Sequence, residues 1–567
     1  MISTKVYFTI LDYFFFAIVF IVSTAVGLFY AFGSKKNFSA EDYLFGGKNL
    51  KVIPVSFSLA VTAISGSAII GHSMEVYAYG LHAWITLFTC VICAYALQYI
   101  FVPVFYDLQY ISSFEYLENR FDKSVKNIAS ALYVLNAIFL IPVTIYVPAL
   151  AFQEVTGINL YAVVVVTGLL CIWYTAIGGI KAVVWTDVFQ YILIAISSLV
   201  ILIVGLQGVG GIGNVWDTLN RRGRLTFTRF DFDLKARGTI WSYFLSHTFI
   251  LINHVGISQS SLQRFLSLPR YSDVKIAIWG QFWLCEVILI VQFTIGGIIY
   301  TTYEHCDPLT AGLVKKVDQI FPHFVQEKAS LFAGFNGIFI AGIFAAGLST
   351  TSTLLNTISG TIYSDFIASR IKKNSDGIFI KSVKFIVAIV GIIAIALVFL
   401  IEKLGTIFAI TMQCYTLSAV CIFGVFACGI LFRKINSRGA KCGLIAATLV
   451  VGTLIIGGLS KYPDPVLPLL TDGCNFSNGT TESGIEQQIR FSENTSDNSS
   501  IPWIFQINFQ YYCFIGLVIN LSVAYFVSIL TGGNDVKDER FLAPFLRRTK
   551  NAEDTLIDPT IPPENLP

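Results

Sequence analysis

The sequence predicts an all-α membrane protein that crosses a bilayer many times. Hydrophobic residues make up 55% of the 567 residues, and only 13% are charged. Apolar runs of roughly 20 residues, each about long enough to cross a bilayer as a helix, recur from one end of the chain to the other. The segments between these runs are too short for a catalytic domain, and the net charge is only +3. We therefore expect no enzyme and no nucleic-acid partner.

The apolar runs predict thirteen membrane spans. The first run is too long for a signal-peptide core and has no cleavage site of the A-x-A kind, so we expect it to be retained. The predicted spans are 6–32, 52–76, 82–106, 127–152, 158–178, 184–207, 239–263, 276–302, 329–362, 383–401, 405–432, 440–460 and 507–531.

Basic residues predict an orientation with the N-terminus outside and the C-terminus in the cytoplasm. In this orientation 25 of the 38 Lys and Arg lie in inward segments, as the positive-inside rule requires. Outward loop 208–238 is rich in Arg, but a loop of that length constrains topology weakly. Loop 461–506 then lies outside, where its four N-glycosylation acceptors could be modified. These acceptors are Asn475, Asn478, Asn494 and Asn498.

Two cysteines are predicted to face outward, whereas most of the eleven lie in apolar spans. Cys306 belongs to loop 303–328 and Cys474 to loop 461–506. The two thiols could form a disulfide between these loops, or they could both remain free.

Two predicted spans are interrupted near their middle by Gly and polar residues. The second span contains Thr62-Ala63-Ile64-Ser65-Gly66-Ser67, and the seventh contains Asn253-His254-Val255-Gly256-Ile257-Ser258-Gln259. Such breaks free backbone groups, which are tolerated in a membrane only where they line a cavity or bind a solute. Paired breaks in the two halves of a chain are typical of secondary transporters. The alternative is that the Gly-rich stretches only let helices pack closely.

The two breaks divide the chain into predicted repeats and additions. The first inverted five-helix repeat is 52–207 and the second is 239–432, joined by the outward loop 208–238. Residues 1–51 form an additional helix and an inward loop, and residues 433–531 form two further helices with loop 461–506 between them. The tail, 532–567, ends in DPTIPPENLP and is predicted to be a disordered cytoplasmic segment.

A stripe of hydroxyls and small residues marks the ninth span. At about 100° per residue, Gly342, Ala346, Ser349, Thr350, Thr353 and Thr357 fall on one helix face. Oxygen atoms on a small-residue face can hold a desolvated cation. The alternative is that these hydroxyls bond back to carbonyls one turn earlier and that the small residues serve close packing.

Several strings together resemble the sodium–solute symporters. They include YTAIGGIKAVVWTDVFQ at 174–190, FEYLENRF at 114–121, GISQSSLQR at 256–264, YEHCDPL at 303–309 and GLSTTSTLLN at 347–356. The spacing of SLAVTAISGSAIIGHSMEVYAYG at 58–80 is most similar to the monocarboxylate, iodide and multivitamin branch. The resemblance covers about residues 8 to 450 and implies the leucine-transporter fold, with one helix before the ten-helix core and two after it.

The resemblance also implies a sodium site. The family's ligands map onto the backbone carbonyls of Val61, Ile64 and Ala346 and the hydroxyls of Ser349 and Thr350. Asp187 resembles the family's acidic residue on the inward sodium path. Its alternative role is to cap the N-terminus of a span near the membrane surface.

The resemblance places the substrate beside the two breaks. The residues there are Ser65, Ala68, His72, His254, Ser258 and Gln259. Ala68 stands where the iodide branch has Gln, which makes iodide an unlikely substrate. The two histidines could contact substrate, or could be neutral side chains bonded to carbonyls.

These features predict a plasma-membrane symporter that moves sodium with a small organic anion, such as a monocarboxylate or a vitamin, by alternating access. Its partners are the solute and the lipid bilayer, and sodium is co-transported. A sodium-independent facilitator or channel and a solute-sensing receptor of the same fold are the competing interpretations.

Overall fold

The computed structural model describes most of the chain. The described residues are 8–32, 46–81, 84–110, 112–225, 230–329, 334–368, 376–401, 407–458, 466–474, 501–533, 536 and 538–548. The four glycosylation acceptors lie outside these ranges.

All regular secondary structure in the described ranges is helical. The helices are α1 Ile10–Phe32, α2 Val52–Ala63, α3 Gly66–Tyr79, α4 Ile85–Leu108, α5 Ser113–Arg120, α6 Lys123–Thr156, α7 Leu160–Gly208, α8 Ile212–Arg221, α9 Ile240–Leu251, α10 Gln259–Leu266, α11 Tyr271–Thr302, α12 Ile320–Ala329, α13 Phe335–Ile362, α14 Asp376–Ile401, α15 Ile407–Ser418, α16 Gly424–Leu431, α17 Ser437–Gly458 and α18 Tyr512–Leu530.

The described residues contain eight helices that are long and apolar enough to cross a membrane, or nine if one bent pair is a single span. The total of thirteen spans stays a prediction. One predicted boundary is wrong, because the inward loop expected between the spans 158–178 and 184–207 is helical and belongs to α7. Helix α7, 49 residues long, contains residues of both spans predicted on either side of that loop.

The first break separates α2 from α3, which are bent by 58°. Ile64 leaves the helical conformation, with φ −100° and ψ 84°. Ser65 then caps α3, because its Oγ accepts a hydrogen bond from the Ala68 N–H at 3.3 Å. A Ser at this position supplies the acceptor that the first turn of a helix lacks.

The second break follows α9. Residues Ile252–Ile257 form a π-helical turn, and Ser258 caps α10 through its Oγ and the Ser261 N–H at 3.3 Å. The turn lies tightly against α4, since a Cβ at Gly256 would overlap Leu97. The chain is therefore interrupted at both places where the sequence predicts a break.

Helix α13 lies at the centre of the bundle and is buried along nearly its whole length. Its small residues allow close approach on two sides. A Cβ at Gly342 would lie 2.7 Å from Ser197 Oγ of α7, and one at Gly347 would lie 2.7 Å from the Thr144 carbonyl of α6. Packing is thus one reason for the small residues of the stripe.

The predicted outer face is tied together by a disulfide and a buried arginine. Cys306 and Cys474 are joined, 168 residues apart in sequence. Arg224 is only 1% exposed and lies over the Tyr300 ring at 3.6 Å. It also donates to the carbonyl of Pro468 at 2.9 Å. Loops that are distant in sequence thus form one cover over the ends of α3 and α11.

Part of the predicted disordered tail is ordered, and the prediction is wrong for that part. Glu539–Phe541 and Pro544–Leu546 form 3₁₀ turns. Tyr116 of α5 donates to the carbonyl of Phe541 at 2.9 Å, and Arg433 pairs with Glu539. These contacts order the segment, and they cannot be read from its mostly polar composition.

Candidate ion and substrate site

The first break lies directly against α13. A Cβ built on Gly66 would lie 3.2 Å from the carbonyl oxygen of Ile343, so the chain can approach this closely only with a small residue at 66. The ends of α2 and α3 therefore present their free carbonyl and amide groups to the hydroxyl-bearing helix.

Asp187 joins α2 to α13 about two turns below this contact. Its Oδ2 accepts from Ser58 Oγ at 2.6 Å, and its Oδ1 accepts from Ser349 Oγ at 2.6 Å. The residue is fully buried and lies inside α7, 27 residues after the first residue of that helix. The alternative role of Asp187 as an N-terminal cap is therefore wrong.

Arg264 of α10 completes a buried ion pair with Asp187. Its Nη2 lies 3.1 Å from Asp187 Oδ2, and its side chain is 3% exposed. The same guanidinium donates to four further oxygens, which are Ser58 Oγ at 2.7 Å and Thr62 Oγ1, Thr353 Oγ1 and the Ser260 carbonyl at 3.0 Å each. Residues of α2, α7, α10 and α13 thus meet at this side chain.

Sequence reasoning missed Arg264, which it placed in an inward segment after the seventh span. A hydropathy window counts an arginine as polar and cannot register its partners. The signal that could have found it is the spacing in GISQSSLQR, where Arg264 stands two turns after Ser258 on a short helix that follows a break. A buried guanidinium needs a counterion, and Asp187 is the buried acid within reach.

The five predicted sodium ligands lie between two contacts. Above them Gly66 meets Ile343, and below them Arg264 bridges Ser58 and Thr353. Because α2 and α13 run antiparallel between these contacts, Val61 and Ile64 lie alongside the segment that contains the other three ligands. Those three are Ala346, Ser349 and Thr350.

The hydroxyls of the stripe also make the bonds expected of the packing alternative. Thr350 Oγ1 donates to the Ala346 carbonyl at 3.1 Å, and Thr351 Oγ1 donates to the Gly347 carbonyl at 2.7 Å. A hydroxyl that donates its proton backward keeps its lone pairs for a cation. The two interpretations are compatible, and the donor set consists of the hard oxygen atoms that an alkali cation prefers.

A cavity of about 100 Å³ lies between the two breaks. Four of the six predicted substrate residues line it, namely Ser65, Ala68, His72 and His254. The remaining wall comes from α9, α15 and the segment before α18, through Tyr243, His247, Thr411, Tyr415, Phe509 and Gln510 among others. Sequence reasoning missed this wall, because it is built from parts of the chain without a break or motif.

Both predicted histidines contact backbone groups. His72 Nδ1 lies 2.7 Å from the Ala68 carbonyl, which is one turn earlier on α3. His254 contacts the backbone of Thr62, and its ring meets Tyr415 edge-on at 5.0 Å. His254 thus ties the second break to the first.

The other two predicted substrate residues point away from this cavity. Gln259 Oε1 accepts from the Ser113 N–H at 2.6 Å. Ser258 Oγ donates to the His254 carbonyl at 2.6 Å, and so completes the turn at the second break. Both side chains support the break from its far side.

A buried ion pair closes the cavity at its predicted outer end. Arg237 Nη2 lies 2.6 Å from Glu75 Oε2, with both side chains less than a tenth exposed. Tyr243 donates to Glu75 Oε1 at 2.6 Å. Arg237 also lies over the Tyr79 ring at 3.8 Å. The segment before α9 is thereby held across the end of α3.

Comparison with known proteins identifies a matching family. A model described as the sodium:solute symporter family matches residues 43–447. Relatives include sodium-coupled monocarboxylate transporter 2 of Bos taurus, 30% identical over 94% of this chain and 86% of its own length. Sodium-coupled monocarboxylate transporter 1 of Mus musculus is 31% identical over 94% of this chain and 89% of its own length. The sodium-dependent multivitamin transporter of Oryctolagus cuniculus is 27% identical over 93% of this chain and 83% of its own length.

Solved structures share the fold. A Na⁺-coupled sialic acid symporter in a substrate-bound outward-open state aligns with a TM-score of 0.75 and 22% identity, over 93% of this chain and 100% of that one. A nucleobase-cation-symport-1 family transporter in a closed conformation aligns with a TM-score of 0.51 and 11% identity. The alignment covers 86% of this chain and 94% of that one. These likenesses agree with the predicted leucine-transporter fold.

Proposed function

The chain belongs to the sodium:solute symporter family, and from that premise we propose that it carries a small organic anion with sodium across the plasma membrane by alternating access. The observation that carries the proposal is the first break. It faces the hydroxyl stripe of α13 on one side and the cavity on the other. One element therefore serves both ligands.

Sodium is proposed to bind at the carbonyls of Val61, Ile64 and Ala346 and the hydroxyls of Ser349 and Thr350. Three carbonyls and two hydroxyls supply oxygen ligands without a carboxylate in direct contact. Asp187 supports the site at one remove, because it accepts the hydrogen bond of Ser349 and so directs a lone pair of that hydroxyl toward the ion. Asp187 is thus a positioning residue, and it adds negative potential near the cation.

Arg264 is proposed to close the inward end of the sodium path. Its guanidinium spans Ser58 of α2 and Thr353 of α13, below the proposed ligands. A cation cannot pass a fixed guanidinium at this distance, because the like charges repel strongly in a medium of low dielectric. Inward release then requires that the pair of Arg264 and Asp187 separate.

The substrate is proposed to occupy the cavity beside Ser65, Ala68, His72 and His254. Relatives in the same family are named for monocarboxylates and vitamins, which share a carboxylate on a small organic body. The wall of this cavity combines apolar side chains, such as Ile250, Leu251 and Phe509, with polar ones from Ser65, Ser246 and other residues. Such a lining suits an organic anion better than a halide.

The carboxylate of the substrate needs a compensating positive potential. Arg237 is engaged by Glu75 and Arg264 by Asp187, so neither offers a full unpaired charge. The N-terminus of α3 at Ser65 offers about half an elementary charge, and bound sodium offers a whole one. We therefore expect sodium to be nearly obligatory for substrate binding.

The predicted orientation places the Cys306–Cys474 bridge and the glycosylation acceptors outside the cell. The paired Arg237 and Glu75 then form the outer closure, and Arg264 and Asp187 form the inner one.

A panel of labelled monocarboxylates and vitamins, assayed in cells with sodium and with choline in its place, tests the proposal. We expect uptake of at least one anion against its gradient, in sodium only. Equal uptake in both media would favour a facilitator.

A further inference from the structure

Glu286 is a carboxylic acid side chain in the middle of a membrane-spanning helix. It lies on α11, near the centre of Tyr271–Thr302, which is among the helices long and apolar enough to cross a bilayer. Both carboxyl oxygens are buried, and neither has a hydrogen-bond partner in the part of the chain that the structure describes. It contributes to neither the proposed sodium site nor the proposed substrate site.

The titratable groups nearest to Glu286 are thiols. Cys90 and Cys93 face it from α4, and Cys285 precedes it on α11. Two of these thiols are directed elsewhere, since Cys93 Sγ lies 3.4 Å from the Thr248 carbonyl and Cys285 Sγ lies 3.7 Å from the Ala60 carbonyl. Cys90 approaches the carboxyl group without reaching hydrogen-bond geometry.

The other helices packed on α11 bring no cation to Glu286 among the described residues. Helix α2 has no titratable side chain. The nearest titratable groups of α3 and α7 are His72, which lines the same region, and Tyr191, which donates to the Leu284 carbonyl at 2.9 Å. Helix α8 meets α11 near Gly297, three turns away.

A second cavity lies between this region and the substrate cavity. Its volume is about 70 Å³, and its walls include Cys90 and Cys285, the neighbours of Glu286, together with Gln281, Gln292 and His247. It shares Ala63, Ala68, His72, His247 and Leu251 with the substrate cavity. The second cavity thus lies between the neighbours of Glu286 and the wall of the substrate cavity.

Burial decides the charge of such a group. An ionised carboxylate without a donor or cation loses hydration worth several kcal/mol or more in an apolar interior. A neutral carboxylic acid loses far less. We propose that Glu286 is a proton-binding site, occupied in the conformation described here, and that its occupancy stabilises this conformation.

The proposed step is a simple transfer. The O–H bond of the Glu286 carboxyl group breaks, the proton passes to a water molecule, and the electron pair stays on the carboxylate. The resulting charge lies between α4 and α11 without a partner. Deprotonation therefore favours any conformation in which this carboxylate meets water.

Infrared spectra of the purified protein test the site directly. At about pH 7 a free glutamate side chain is ionised, because its pKa is about 4.3. We expect the C=O stretching band of a protonated carboxylic acid in the wild-type spectrum. The band should be lost in Glu286→Gln and kept in Glu327→Gln, a carboxylate on α12 that is paired with Lys328.

Melting of the same three proteins provides the second measurement. Stability from a retained proton is full at low pH and is lost as the pH rises, so the wild type should melt at a lower temperature at alkaline pH. The decrease in melting temperature at alkaline pH should be absent from Glu286→Gln and present in Glu327→Gln.

Absence of a protonated carboxyl band from the wild type would overturn the proposal, even if the variant failed to fold. A band that persists in Glu286→Gln would also overturn it. Neither readout involves transport, so failure here is distinguishable from failure of the proposed function.

Discussion

Arg264 and Asp187 form a buried ion pair at 3.1 Å, although they come from helices 77 residues apart in sequence. The pair also bonds Ser58 of α2 and Ser349 of α13. Helices α2, α7, α10 and α13 are thus fixed relative to each other beside the proposed sodium site.

Replacing one member of this pair should lower the free energy of unfolding more than replacing both members. Arg264→Gln leaves an unpaired buried carboxylate, at a cost of about 3–5 kcal/mol. The double variant Arg264→Gln, Asp187→Asn leaves neither charge of this pair in the interior. We expect the double variant to melt above either single variant when the purified proteins are heated.

The matched control is the partly exposed pair of Arg433 and Glu539. Arg433→Gln should change the free energy of unfolding by about 1 kcal/mol or less. A double variant of the buried pair that melts below both single variants would contradict this account.

Removing one proposed ligand oxygen should weaken sodium selectively. Ser349→Ala and Thr350→Val each delete one hydroxyl, and an interaction of a polar group with a charge contributes about 1.5–3 kcal/mol. We expect the sodium concentration for half-maximal uptake to rise roughly tenfold or more. Surface expression should stay near that of the wild type.

The control for this experiment is Thr361→Val. Thr361 donates to the Thr357 carbonyl on the same helix, at 2.9 Å, about three turns from the proposed ligands. Its sodium dependence should match the wild type. Unchanged sodium dependence in both ligand variants would rule out the assignment.

The pair of Arg237 and Glu75 should control access to the cavity from outside. Arg237→Gln removes the cation that bridges Glu75 and the Tyr79 ring. A cysteine introduced by Ala68→Cys lies in the cavity wall, and we expect an impermeant thiol reagent to modify it faster once Arg237 is replaced.

Arg222→Gln provides the comparison, because Arg222 pairs with Glu304 at 2.7 Å on the same predicted face without lining the cavity. It should leave the modification rate of Ala68→Cys unchanged. Equal acceleration by both replacements would show a general loosening rather than a gate.

The disulfide offers a test of orientation. Cys306 and Cys474 are bridged, so an impermeant maleimide applied to intact cells should label neither. After a reductant is added, both should react, and Cys306→Ser with Cys474→Ser should abolish the new labelling. Labelling that requires permeabilised cells would invert the predicted topology.

Sequence reasoning found those parts of the site that depend on local pattern. The break at Ser65 and Gly66 is visible as a polar interruption of an apolar run, and the stripe around Ser349 follows from helical periodicity. Both features depend on residues close together in the chain. The all-α membrane class followed from hydropathy in the same way, whereas the leucine-transporter fold followed from the family resemblance.

The parts that sequence reasoning missed depend on contacts between distant segments. Arg264 carries a charge that hydropathy assigns to the membrane surface, and only its pairing with Asp187 allows burial. Gln259 follows a break as a ligand would, yet it turns to Ser113 of α5. Glu75 and Arg237 show the same limit, since their partnership spans 162 residues.

The central claim is that sodium and an organic anion bind together. By linkage, sodium and substrate must tighten each other by the same factor. The most direct measurement is the affinity of the purified protein for the anion that the uptake panel identifies, at saturating sodium and with choline in its place. We predict a loss of at least about tenfold without sodium, which is roughly 1.4 kcal/mol of coupling. Equal affinity in the two media would contradict the account.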